Sequence, residues 1–104
     1  MSVNQYGTVT EALEDLARRG FTANFEYLDG AFTVVDSGRT FRAEELTIVE
    51  HHRFEGISDP DDMAVVYALI SRAGVRGVVV DAFGVYANPK LGEFLGTVSI
   101  REAA

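Results

Sequence analysis

Glu50 and His52 stand two residues apart, between Ile48 and Phe54. Strand alternation puts Leu46, Ile48, Glu50, His52 and Phe54 on one face, so a carboxylate and an imidazole share an otherwise core-facing stripe. Such a pair can share a proton or hold a cation in a cleft. A bulge, or a strand end leaving the core, would instead carry both side chains to water. Asp81 raises a related question inside Val78-Val79-Val80-Asp81-Ala82-Phe83. A carboxylate in an apolar strand needs a partner or an edge position, because burying it alone is costly. His52 or Arg53 on a neighbouring strand would make it an ion pair or half of a site, and Tyr67 and Tyr86 could bring hydroxyls near it. A small-molecule site or a small enzyme would therefore be built on Glu50, His52, Arg53 and Asp81.

Metal and cofactor chemistry find less support. His51 and His52 are adjacent, so a regular strand points them to opposite faces and they cannot chelate one ion. A third ligand would have to come from Glu50, Asp81 or the acidic loop, and no recognised metal spacing is present. Asp61 and Asp62, in Asp59-Pro60-Asp61-Asp62, are candidates for a divalent cation. They lack the alternating oxygen ligands, glycine and distal glutamate of a calcium loop, which favours capping of a chain reversal with Arg53 or Arg76 as ion-pair partner. The chain has no cysteine, so thiolate chemistry is excluded. No nucleophile elbow, P-loop, dinucleotide fingerprint or RNA-binding aromatic motif occurs. No catalytic set is complete, no metal or cofactor is expected, and a non-enzyme is favoured.

The net charge of −7 over 104 residues is unevenly placed. Seven acidic residues between Glu44 and Asp62 face one base, Arg53. Such a stretch repels nucleic acid and anionic membrane and suits a basic protein partner, or serves as a solvated face. The apolar run Met63–Ile70 is too short to span a bilayer. The polar start Met1-Ser2-Val3-Asn4-Gln5 has no signal-peptide pattern, so a cytoplasmic location is expected.

The elements that would position these residues read as one α+β domain over 1–104. Thr8-Val9-Thr10-Glu11 fits a capping box, and Val9, Ala12, Leu13, Leu16 and Ala17 form a helical stripe closed by Arg18, Arg19 and Gly20. Asp29-Gly30 predicts a type I′ hairpin in which Leu28 opposes Ala31, Tyr27 opposes Phe32 and Phe25 opposes Val34. Strands are expected over about 46–55, 63–71 and 77–86, the second of them also having a plausible helix start at Asp59-Pro60. Asn88-Pro89 opens a C-terminal helix carrying Leu91, Phe94, Leu95 and Val98. The expected fold is an N-terminal helix, an antiparallel meander of about five strands and a C-terminal helix, with both helices packed on one face.

At 53–62, Arg-Phe-Glu-Gly-Ile-Ser-Asp-Pro-Asp-Asp, and at 77–86, Gly-Val-Val-Val-Asp-Ala-Phe-Gly-Val-Tyr, the chain resembles a family of small bacterial proteins of about this length. The opening helix through Gly20-Phe21-Thr22 fits as well, so the resemblance covers most of the chain. Members often carry the label phosphoribosylpyrophosphate synthetase. That activity needs a Thr/Gly-rich phosphate cradle after an acidic pair. Here Asp61-Asp62-Met63 is followed by Ala64-Val65-Val66-Tyr67, and Lys90 is the only lysine, so a genuine synthetase is not expected. The reading is a small acidic binding or regulatory module that self-associates. The alternative is the ligand-binding protein or small enzyme built on Glu50, His52, Arg53 and Asp81. Nucleic-acid mimicry by the acidic stretch would need carboxylates at phosphate-like spacing.

Overall fold

The computed structural model describes residues 8–54, 64–82 and 89–101. Its elements run α1 (Val9–Arg18), β1 (Ala23–Leu28), β2 (Ala31–Val34), β3 (Thr40–Phe41), a 3-10 turn (Ala43–Glu45), β4 (Leu46–Phe54), β5 (Ala64–Ser71), β6 (Arg76–Ala82), α2 (Pro89–Thr97) and β7 (Ser99–Ile100). The strands form one sheet in the order β3-β2-β1-β6-β5-β4-β7.

This corrects the expected five-stranded antiparallel meander. The sheet has seven strands, is mixed, and curls into a half-barrel. The pairs β1–β6 and β4–β7 are parallel and the others antiparallel. Curling follows from the larger core. Phe41 of β3 and Ile48 of β4 belong to the same buried cluster. In a flat sheet those strands would lie about 24 Å apart, at ~4.8 Å per neighbour. The face that converges on this cluster is the inner face.

The helices do not share a face, a second correction. Leu91, Phe94, Leu95 and Val98, from α2 and the residue after it, pack into the inner cluster with Phe25, Phe32 and Leu69. Phe94 lies 4.6 Å from the Phe32 ring and 5.5 Å from that of Tyr27. Ala12 and Leu16 of α1 pack on the outer face with Phe21, Phe54, Val66, Ala68 and Val78. The sheet is therefore covered on both sides at β4–β6. The outer face of β1 and β2 carries exposed Asn24, Glu26, Leu28 and Val35 and half-buried Thr33.

Local sequence explains the ends of α1. The Thr8 hydroxyl accepts from the Glu11 N–H at 3.1 Å. Past the last turn, the Phe21 N–H bonds Leu16 O at 2.9 Å and the Gly20 N–H bonds Ala17 O at 3.1 Å. This is a Schellman closure, with Gly20 at φ +102° and Phe21 and Leu16 packed together. The β1–β2 hairpin has the expected register, with Asp29 and Gly30 both at positive φ. Residues 64–71 form a strand, the expected choice over a helix.

Gly77 permits a join that local signals do not announce. It sits opposite Ala23 in the parallel β1–β6 pair. A Cβ there would lie 2.5 Å from Ala23 O and 2.7 Å from Phe25 Cε2. Only a glycine lets these backbones approach so closely.

Candidate functional site

The position of Glu50 and His52 depends on one extra residue. Ile48 pairs with Leu69 and Glu50 with Ala68, so Val49 is a bulge with no opposite number on β5. Alternation restarts after it. Leu46 and Ile48 join the inner cluster, whereas Phe54 joins the outer one, with Val49 packed beside it. The single stripe from Leu46 to Phe54 is thus corrected to two half-stripes on opposite faces.

On the outer face Glu50 meets the C-terminal end of α1. Arg19 Nη2 donates to its two carboxylate oxygens at 3.0 and 2.9 Å, and His52 Nε2 lies 2.7 Å from Oε1. Asp15 accepts from Arg19 Nε at 3.2 Å, completing a chain Asp15–Arg19–Glu50–His52. Burial of Glu50 raises its pKa, but the hydrogen bonds and charges of Arg19 and His52 outweigh it and leave the carboxyl below its ordinary value. An ionised Glu50 only accepts, so Nε2 carries the hydrogen of this bond. His52 is 3% exposed, and its other ring nitrogen, Nδ1, is buried.

The remaining candidates lie on the other face. Arg53 pairs with Val65 and Val65 with Asp81, so the two charged residues flank Val65 in one row across β4, β5 and β6. In the adjoining row His51 pairs with Tyr67 and Tyr67 with Val79, which is in the inner cluster. The His51 and Tyr67 rings stack with centroids 6.3 Å apart and planes at 27°. Burial, and secondarily the charge of Asp81, push the Tyr67 phenol above its ordinary value, so it is a protonated hydroxyl at neutral pH. Arg53 is exposed, and His51, Val65, Tyr67 and Asp81 are half-buried.

The residues named from the sequence therefore separate. Glu50 and His52 are brought together, Arg53 and Asp81 share a row with Val65 between them, and the sheet stands between the two sets. His52 and Asp81 cannot act on one substrate. The separation of His51 from His52 is as expected. Asp61 and Asp62 lie outside the described residues, as do Glu55, Asp59 and Tyr86.

Within the acidic stretch, Glu44 sits 3.8 Å from Arg42 and Glu45 accepts the Arg42 N–H at 2.9 Å. With Glu50 held by Arg19, the described part of that stretch is three separately partnered carboxylates rather than a continuous acidic face. Among the described residues no three His, Asp or Glu side chains are grouped to hold a metal ion. Nor is any helix of the described residues long and apolar enough to cross a membrane.

Sequence reasoning missed Arg19 as the partner of Glu50, with Asp15 in turn accepting from Arg19, and it missed His51 as the neighbour of Tyr67. The first has a weak signal, a paired Arg18-Arg19 just before a glycine C-cap. The second follows only once the strand register is known.

Comparison with known protein families, curated proteins and solved structures found no match.

Proposed function

We propose that the chain is a non-enzymatic binding domain that takes a small ligand at His51, Arg53, Tyr67 and Asp81, with Glu50 and His52 as a structural clasp for α1. The observation behind this reading is the way the clasp is closed. Both Glu50 oxygens are engaged by Arg19, one also by His52, and Nδ1 of His52 is buried. A general acid or base must reach a substrate proton within hydrogen-bond distance, and here both Glu50 oxygens and His52 Nε2 are already engaged within the fold while His52 Nδ1 is buried. The inner-face group instead combines a guanidinium, a carboxylate, a phenol and an imidazole on one half-exposed surface, next to the filling of a curled sheet. Polar groups converging beside apolar packing are what ligand sites in barrel-like sheets use.

The test is a melting-temperature screen of the full chain against amino acids, sugar phosphates, nucleotides and divalent ions. A ligand at 100 times its Kd should stabilise the protein by about 2.7 kcal/mol. At least one class is expected to raise the melting temperature, with the rise lost in Arg53→Gln. A flat result across the panel, or turnover of a panel compound, would overturn the reading.

A further inference from the structure

β1 and β6 are joined at one end only. Ala23 and Asn24 pair with Gly77 and Val78, yet β1 runs on to Leu28 and β6 to Ala82. The direction of the backbone groups beyond the join follows from their other partners. The Val35 N–H bonds Asn24 O, so alternation turns the polar groups of Asn24, Glu26 and Leu28 toward β2 and those of Tyr27 away from it. The Ser71 N–H bonds Val75 O, so by the same alternation Gly77, Val79 and Asp81 bond β5 and Val80 turns away from it. The backbone N–H and C=O groups of Tyr27 and Val80 thus border the open end of the join, and no strand of the described residues pairs with them there. Backbone groups so placed are met by water or by an added strand.

The side chains around the opening say what such a strand must carry. On the outer face Val80 is 42% exposed and Leu28 49%. Glu26 is exposed on that face and forms no ion pair with a described residue. No residue of β1 or β2 belongs to the outer cluster under α1, so the helix does not cover the approach. A lysine here would bring its ammonium to Glu26 and lay its methylenes over Val80 and Leu28. The net charge of −7 favours a basic visitor over an acidic one. On the inner face the neighbours are Tyr27 and Val79, which belong to the inner packing, so the alternate residues must be apolar.

We propose that the open end of the β1–β6 join takes an extended peptide of alternating basic and apolar residues, which adds as a strand along the Tyr27 edge of β1. Its backbone bonds the Tyr27 and Val80 groups, its basic side chains lie on the outer face at Glu26, and its apolar ones lie beside Tyr27 and Val79. This surface is distinct from the inner-face ligand group and stands or falls separately from it.

The test is heteronuclear NMR of the isotope-labelled full chain. In the free protein the Tyr27 and Val80 amides are expected to exchange with solvent faster than those of Glu26 and Val79, whose N–H groups bond β2 and β5. The chain is then titrated with three capped hexapeptides: alternating lysine and valine, alternating glutamate and valine, and the lysine–valine sequence with its backbone nitrogens methylated. The first should shift the Tyr27 and Val80 amides in a saturable way and slow their exchange, with the other two binding about tenfold more weakly or less. Glu26→Lys should reverse the order of the lysine and glutamate peptides. The peptide comparison uses the unaltered protein, so it stands even if the variant fails to fold. Slow exchange of Tyr27 and Val80 in the free chain, equal binding of the methylated peptide, shifts confined to other residues, or no shift up to ~10 mM, ten times the Kd of a millimolar ligand, would overturn the proposal.

Discussion

Arg19 Nη2 lies 3.0 and 2.9 Å from the two carboxylate oxygens of Glu50, across 31 residues of chain. The contact ties the last turn of α1 to the strand it covers. It depends on two local irregularities, the Schellman closure that sets Arg19 beside the sheet and the Val49 bulge that turns Glu50 outward. Arg19 is 43% exposed at its side chain and Glu50 22%, so solvent screening limits what the pair contributes. A double-mutant cycle with Arg19→Ala and Glu50→Ala, read by urea unfolding, should give a coupling of about 1 kcal/mol. A coupling near zero would remove the clasp from the description of the fold.

His52 responds differently from Arg19. Glu50→Leu leaves a buried imidazole without its carboxylate, at a cost of about 1–3 kcal/mol. Glu50→Gln keeps an acceptor for Nε2 and should cost less. Unfolding midpoints of the two variants, compared at one pH, test the order.

Acid should loosen the clasp. The folded-state pKa of Glu50 is depressed below its ordinary value of 4.5. Its contribution to stability is therefore fully present above about pH 4.5 and is lost as pH falls through the depressed folded value. Stability measured between pH 3 and 6 should fall less steeply in Glu50→Gln than in the natural chain. Identical slopes would contradict the assignment.

Tyr67 titrates on the alkaline side. Its folded pKa is raised, so its stabilising effect is present below the ordinary phenol value near 10 and is lost as pH rises through the folded value. Phenolate absorbance of the folded protein should show this tyrosine titrating late. Asp81→Asn should bring it part of the way back, since burial, the larger cause, remains. An unmoved titration would place Asp81 away from the Tyr67 ring.

The β1–β6 join gives a paired substitution. Gly77→Ala drives a methyl into the backbone oxygen of Ala23, and overpacking of this kind costs about 1–3 kcal/mol or more. Gly92, inside α2, has nothing within 4 Å of a built Cβ. Gly92→Ala should therefore stabilise by about 0.5–1 kcal/mol through helix propensity. Opposite signs in unfolding free energy are expected.

What was legible in the sequence was local. Thr8 and Glu11 announce the start of α1 and Gly20 its end, and Asp29-Gly30 sets the hairpin register. Pro89 opens α2. Adjacent His51 and His52 had to diverge, because the strand period is two. What could not be read depended on distant partners. A bulge in β4 was foreseeable, but nothing around Val49 marks it as the residue left over when β4 meets β5, and the bulge carries Glu50 and His52 to the other face, with His52 buried there rather than in water. The parallel join of β1 to β6 brings Ala23 to Gly77 across most of the chain. Once β1 lies beside β6, residues from β3 through β4 reach one inner cluster, which α2 fills while α1 takes the outer face. The two-residue strands β3 and β7 carry too little pattern to be seen alone.

The division of labour between the two faces is tested most directly by one comparison. Melting temperatures are measured for the natural chain, Arg53→Gln and Glu50→Gln, each with and without the compound that most stabilises the natural chain. The expected result is a ligand-induced rise that disappears in Arg53→Gln and persists in Glu50→Gln, with the lower unliganded melting temperature in Glu50→Gln. A rise that persists in Arg53→Gln and disappears in Glu50→Gln would place the working site on the outer face and contradict the account.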